Sequence, residues 1–392
     1  MSAEAGLSTH ERAALDWLAP QGGAMQALLK TLVNIDSGSY NKAGVDRAGE
    51  AICRFFDAQA TGYDVIPNDT FGNAIRATLG PPGDRGILLM GHRDTVYSDG
   101  EASRRPFRIE GPHGFGPGVA DMKAGLVMNC FVAAALNKFS AAPAPVTVLF
   151  TADEEIGSPS SRAIIEAEAR RAALVLNAEP GRPGNAVVTG RKAGIFMRFA
   201  VTGKAAHAGA NFEQGASAIG EMAHKIVALH ALTDLAKGIT VNVGVVKGGQ
   251  TVNTVAPSAQ GEIDLRYVDP TDRATMLGKI EAIIARATVP GTSATFEPYA
   301  EFLPLVQTPA GKRLFELYRD CGQALGATIT GIFTGGCSDA GFSAGVGAPT
   351  LCAVGPVGAR THSPDEYVEL ASIAARAQIL ALTIMRSRAS FF

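Results

Sequence analysis

Cysteine is sparse and unpatterned in this chain: five residues in 392, with no Cys-x-x-Cys pair and an odd total. That excludes a disulfide framework and a cysteine-rich zinc site, and it makes reduced thiols the default. Dense runs of Lys and Arg are missing as well. With a formal net charge of -2, the chain lacks the basic stripe of a nucleic-acid-binding surface. Long hydrophobic runs are also missing. No stretch reaches the roughly 20 apolar residues of a membrane span. The best candidate, Ala371 to Met385, is broken by Arg376 and reads as a packed terminal helix. Met1 to Pro20 carry Glu4, Glu11 and Asp16 where a signal peptide needs a continuous apolar core. The expectation is a cytoplasmic protein with neither nucleic-acid nor membrane partners, the periplasm being the alternative if a leader has been trimmed.

Hydrophobic residues make up 46% of the chain and charged residues 18%, a globular composition. The length suits two domains better than one core. Several stretches read directly. Asn41 to Gln59 is amphipathic, with Val45, Ile52 and Phe55-Phe56 on one helical face. Gly86 to Gly91 is apolar without alternation, as in a central strand covered on both faces. Val146 to Phe150 and Ala173 to Asn177 read as further buried strands.

Each of those three strands ends on residues able to bind a metal. His92-Arg93-Asp94 follows the first, Asp153-Glu154-Glu155 the second and Ala178-Glu179-Pro180 the third. Neighbouring anions repel and resist desolvation, so a Glu-Glu pair beside a buried strand calls for positive charge opposite it. If the strand-like backbone continues, Glu155 faces a metal and Glu154 is left as a base. Each motif alone has a bland reading: a solvated loop for Glu154-Glu155, a structural His-x-Asp for His92 and Asp94. Three strands delivering His, Glu and Glu to the edge where open α/β sheets bind ligands make a coherent site.

Two further stretches join them. Gly114 to Gly125 is rich in glycine around Asp121, which reads either as an N-cap or as a rigidly held carboxylate bridging two cations roughly 3.5–4 Å apart. Arg360-Thr361-His362-Ser363 follows the strand-like Pro349 to Val354 and precedes the terminal helix, so His362 is either a ligand or an exposed residue of a helix start. From about Gly190 the pattern changes to alternating strands and helices in the order strand-helix-strand-strand-helix-strand, the ferredoxin-like order. His207 lies there on a glycine-flanked loop, with a buried packing role as its bland alternative.

Together, Gly91 to Val96, Gly118 to Lys123, Ala152 to Glu155, Asn177 to Pro180 and Thr361 to Ser363 resemble the M20 metallopeptidases. The resemblance runs from about residue 25 to the C-terminus, and Gly203 to Gly209, the Asn253 loop and Asp264 to Tyr267 are most similar to its glutamate carboxypeptidase branch. It implies an α/β fold: a zinc-peptidase-like catalytic domain with a mixed central sheet, over 1–190 and 304–392. A ferredoxin-like α+β lid and dimerisation domain is inserted over 191–303.

The resemblance also implies a site. Asp121 bridges two Zn2+ ions, with Co2+ or Mn2+ as alternatives; His92 and Glu179 complete one, and Glu155 and His362 the other. The peptide after Asp121 is cis. Glu154 is the general base. Read from the residues themselves, Asp94, two past His92, either holds that ring's second nitrogen or braces the opposite side of the ligand shell. His207 stabilises the oxyanion from a partner subunit of a homodimer. Arg266, Asn253 and Gly336 bind substrate. The implied reaction is hydrolysis of the amide bond to a C-terminal amino acid in a small peptide or N-acyl amino acid. The alternative is an N-acyl deacylase acting on acetylornithine or succinyl-diaminopimelate. A two-metal phosphoesterase and a non-catalytic binding protein rank below both. Two departures bear on substrate: Tyr299 to Pro304 lack an arginine that branch members carry, and Cys337 stands where glycine is common. Phe302 and Phe333 are candidates for an apolar subsite.

Overall fold

The computed structural model describes residues 6–392; Glu4, used above against a signal peptide, lies outside them. The chain forms two compact units. The first comprises the residues up to Gly190 with Gln307–Thr334 and Phe342–Phe392, the second Arg191–Val306 with Gly335–Gly341.

The first unit is built on an eight-stranded mixed sheet, in the order Tyr63–Ile66, Ala74–Leu79, Val146–Thr151, Gly86–His92, Ala172–Asn177, Thr350–Cys352, Ala186–Arg191, Thr330–Thr334. Val146–Thr151, Gly86–His92 and Ala172–Asn177 run parallel at its centre and are almost wholly buried. That is why their sequences are apolar without alternation. His92 sits opposite Thr151 and Met90 opposite Asn177. The three strands therefore stop at one edge, and the residues after them emerge together.

Helix Ala124–Lys138 packs with Leu370–Arg386, Thr9–Leu18 and Gly22–Val33. Among the described residues, Val119–Lys138 alone is long and apolar enough to cross a membrane, and it is 94% buried in this core. It is not one continuous helix: the backbone is non-helical at Asp121 and Met122, and the regular helix is Ala124–Lys138.

A second, four-stranded sheet in this unit has no counterpart in the sequence reading. Arg108–Glu110, His113–Phe115, Tyr367–Glu369 and Gly358–Ala359 pair antiparallel. Arg108–Glu110 is exposed throughout and carries no hydrophobic periodicity. This sheet ties the approach to Asp121 to both ends of the His362 loop. It also separates His362 from the terminal helix, which starts only at Leu370. A helix-start role for His362 is thereby removed.

The second unit has the strand order Thr240–Gly248, Ser258–Tyr267, Ala193–Thr202, Ser293–Phe302, all antiparallel. Ala193–Thr202 alternates as expected, with Ile195, Met197, Phe199 and Val201 turned to a core shared with helices Ala218–His230 and Asp272–Ala285. This is the ferredoxin-like arrangement.

Candidate metal centre

His92 closes its strand with its side chain 2% exposed. Its Nδ1 lies 3.0 Å from the Asp94 carbonyl oxygen and 3.3 Å from Asp94 Oδ1. Both neighbours accept, so Nδ1 carries a proton and Nε2 is the nitrogen left to bind a metal once it is deprotonated. The buried Asp94 carboxylate also accepts from Ser39 Oγ at 2.7 Å and from the backbone N–H groups of Glu154 and Glu155, each at 3.1 Å. One carboxylate thus fixes the His92 ring and the Glu154-Glu155 backbone. That backbone is not a strand continuation: Glu154–Ile156 is a 3-10 turn, and the turn, not a pleat, separates the two glutamates.

Asp121 is not an N-cap. Its backbone is non-helical, the peptide to Met122 is cis, and the regular helix begins at Ala124 without a side-chain cap. Two glycines are required nearby. Gly118 has φ +70, and a Cβ on Gly125 would collide with the Ala178 carbonyl oxygen. Asp121 Oδ1 faces His92 Nε2 at 3.3 Å and Asp121 Oδ2 faces His362 Nε2 at 3.4 Å. Glu179 Oε1 stands 3.7 Å from His92 Nε2, and Glu155 Oε2 stands 3.3 Å from His362 Nε2. The result is two triads sharing one carboxylate: His92-Asp121-Glu179 and Asp121-Glu155-His362, the candidate ligand atoms of each within 4.8 Å of one another. Glu154, 7% exposed, places Oε2 3.9 Å from His92 Nε2.

The donors suit divalent cations. Imidazole nitrogen and carboxylate oxygen are the ligand types of catalytic zinc. Two buried atoms in the cluster, His92 Nε2 and Glu155 Oε1, have no hydrogen-bond partner among the described residues. Buried polar atoms are rarely left so without a functional reason, and a bound cation is one.

The remaining predicted residues belong to the second unit. His207 is exposed, against the packing alternative, and its Nδ1 accepts from the N–H groups of Gly209 and Ala210 at 3.2 Å each. With Nδ1 accepting, Nε2 is the ring nitrogen left to donate. Asn253 is exposed and its carbonyl accepts from Ala208 N at 2.9 Å. Arg266 is held by Asp264 through two bonds of 2.6 and 3.1 Å, contacts Cys337 Sγ at 3.0 Å and lies over the Phe196 ring. The Gly336 carbonyl accepts from Arg191 Nη1 at 3.2 Å. Phe302 is buried and offers no subsite, whereas Phe333 is exposed.

Residues 88–386 match the sequence profile of peptidase family M20/M25/M40. The chain belongs to this family. It is 31% identical over 370 residues to carboxypeptidase G2 from Pseudomonas sp. strain RS-16, covering 91% of this chain and 88% of that protein. Acetylornithine deacetylase from Proteus mirabilis strain HI4320 is 25% identical, covering 88% of this chain and 92% of that one. An M20 family metallo-carboxypeptidase from Sulfolobus solfataricus has the same fold, with a TM-score of 0.77 at 16% identity, covering 92% of this chain and 99% of that one.

Electrostatics in this M20 cluster follow from burial and opposite charge. Burial alone would depress the His92 ring, but Asp121 and Asp94 hold it well above its usual value. Asp121 and then Glu155 raise His362 to about 10. Burial would raise Asp121, yet His362 and His92 outweigh it and keep that carboxylate ionised. Burial pushes Glu155 up to about 7 despite His362.

One M20 residue in the neighbourhood escapes sequence reasoning. Glu366 is fully buried, and its carboxylate accepts from the Gly118, Ala120 and Asp121 backbones and lies against the Tyr97 hydroxyl. Burial pushes its carboxyl up. In sequence it is one more acidic residue after Pro364-Asp365, and its partners are some 245 positions away.

Proposed function

We propose that this chain is a two-metal amidohydrolase that releases a C-terminal amino acid from a small peptide or N-acyl amino acid. The observation that carries the reading is the Asp121 carboxylate, one oxygen turned to each histidine and one further glutamate on each side. His92, Asp121 and Glu179 would hold one ion and Glu155, Asp121 and His362 the other. Zinc is the metal of this reading, with cobalt or manganese as alternatives. Bound there, the pair would supply Lewis acidity, lowering the pKa of water and polarising the scissile carbonyl.

The chain's own residues do the rest. Glu154 takes the proton from the attacking water and returns it to the leaving amine. Asp94 holds His92 and the Glu154 backbone in place. The Nε2–H of His207 donates to the developing oxyanion, from the partner subunit of a homodimer. Arg266 recognises the substrate's terminal carboxylate, oriented by Asp264 and stacked on Phe196, with Asn253 and Gly336 adding contacts. Similarity to carboxypeptidase G2 supports the carboxypeptidase form of the reaction. Five free thiols fit a cytoplasmic setting.

The deacylase alternative, acting on acetylornithine or succinyl-diaminopimelate, presents the same terminal carboxylate to Arg266, whose fork Asp264 already engages through two bonds. Hydrolysis of N-acyl glutamate, aspartate, aromatic amino acids and ornithine separates the two. The expected result is turnover of the first three classes, abolished by a chelator and restored by zinc. Turnover of N-acetylornithine alone would establish the deacylase. Glu154→Gln is expected to lower kcat by about 10²–10⁴-fold with metal content unchanged. Full turnover in that variant removes Glu154 as the base.

A further inference from the structure

We propose that Glu366 is the positioning residue of the metal centre, setting the spacing between Asp121 and His362 without touching either ion. The proposal rests on the two-cation reading above. Glu366 Oε1 accepts from Ala120 N at 2.8 Å and Asp121 N at 2.9 Å. Its Oε2 accepts from Gly118 N at 3.2 Å and from the Tyr97 hydroxyl at 2.7 Å. The same hydroxyl lies 2.9 Å from the Ser363 carbonyl oxygen, so its single proton is shared between Glu366 and the residue next to His362. Arg105 stacks on the Tyr97 ring and donates to the Pro364 carbonyl at 2.8 Å.

Three stretches far apart in sequence therefore meet on one carboxylate: the segment leaving the His92 strand, the Asp121 loop and the His362 loop. Their need for it differs. His92 and Glu179 extend from central strands, and Asp94 braces the His92 ring independently. The His362 side chain is 52% exposed, and its backbone has φ +60. A non-glycine residue in the left-handed region persists only where its surroundings fix it. Little packing fixes this ring, so the anchoring of its loop must. Glu366 supplies that anchor and joins it to the backbone of the bridging ligand.

Chemistry at the position is specific. An ionised carboxylate is acceptor-only and can satisfy four converging donors. Glutamine would turn an NH2 group toward two of them, and aspartate is one methylene too short to reach all of them.

The test is titration of metal-free wild type, Glu366→Gln and Tyr97→Phe with Co2+, followed by calorimetry and by the cobalt absorption spectrum. Thermal unfolding of each metal-free protein serves as the structural control. In Glu366→Gln the second equivalent is expected to bind about 10–100-fold more weakly, the loss typical of a removed outer partner, with the first little changed. Tyr97→Phe is expected to show a smaller loss in the same equivalent at an unchanged midpoint; it carries the test alone if Glu366→Gln does not fold. Wild type taking up two equivalents while the folded variants match it overturns the clamp alone. Equal weakening of both equivalents also overturns it. Wild type taking up a single equivalent overturns the two-ion reading, and the clamp with it.

Discussion

At the scale of single residues, the candidate ligands perturb one another strongly. With no cation between them, the carboxylates hold His362 protonated to about 10 and burial holds Glu155 protonated to about 7. A divalent ion must displace those protons, because only neutral imidazole and ionised carboxylate coordinate. The sign is fixed: below these values protons compete with the metal, so affinity rises with pH. Calorimetry of Co2+ binding at pH 7, in buffers of different ionisation enthalpy, is expected to show release of at least one proton per site pair. The apparent affinity should rise about tenfold per unit increase in pH for each proton released. A binding enthalpy independent of buffer would contradict the protonated His362. His92, Glu155, Glu179 and His362 are recognisable in sequence as candidate ligands because each follows a buried strand or a strand-like run. Glu366 is not, since nothing local marks a carboxylate whose donors lie in other loops. The turn at Glu154–Ile156 is hidden for a related reason. The Asp94 carboxylate that accepts its N–H groups comes from another strand.

Elements were legible in proportion to their burial. The three central strands and the helices flanking them announce themselves by apolar runs or helical periodicity. Arg108–Glu110 does not, because its pairing rather than its packing makes it a strand. In the second unit, one element-level interaction carries unusual weight. Glu221 and Lys225, one turn apart on Ala218–His230, are both almost fully buried and 2.8 Å apart. The Lys225 ammonium donates to the carbonyls of Ile283, Ile284 and Arg286, at the end of the Asp272–Ala285 helix. Glu221 accepts from the Thr288 and Val289 N–H groups just beyond. The pair therefore stitches the last turn of one helix to the side of the other. Lys225→Met leaves a buried carboxylate uncompensated and three carbonyls without their donor. It is expected to destabilise the fold by about 3–5 kcal/mol, read from the urea midpoint of the full-length protein. The double variant Glu221→Leu with Lys225→Met removes both charges and should recover much of the loss. A loss in Lys225→Met below 1 kcal/mol or so, typical of exposed pairs, would show that the pair is not the fastening described.

At the scale of the whole molecule, the proposed role of His207 makes one site depend on two chains. The second unit exposes apolar side chains on a helix and on an unpaired sheet edge: Val227 at 72% and Val246 at 49%. Bare edges of this kind invite pairing with another chain, and a closed twofold pair is the commonest way to satisfy them. His207 belongs to this same unit, whereas Glu154 and every candidate ligand belong to the first. If His207 serves the partner's metal centre, the two functions can be separated onto different chains. His207→Ala and Glu154→Gln homodimers are each expected to be nearly inactive, with normal metal content. Unfolding, mixing and refolding them in equal amounts gives half heterodimers, each with one site that has both an intact Glu154 and an intact partner His207. Activity should then rise to about a quarter of wild type. The rise should vanish when both variants also carry Val227→Asp and Val246→Asp, which are expected to sediment as monomers. No recovery from a mixture that sediments as dimers would mean that His207 acts within its own chain or not at all, and the oxyanion donor would then have to be sought in the first unit.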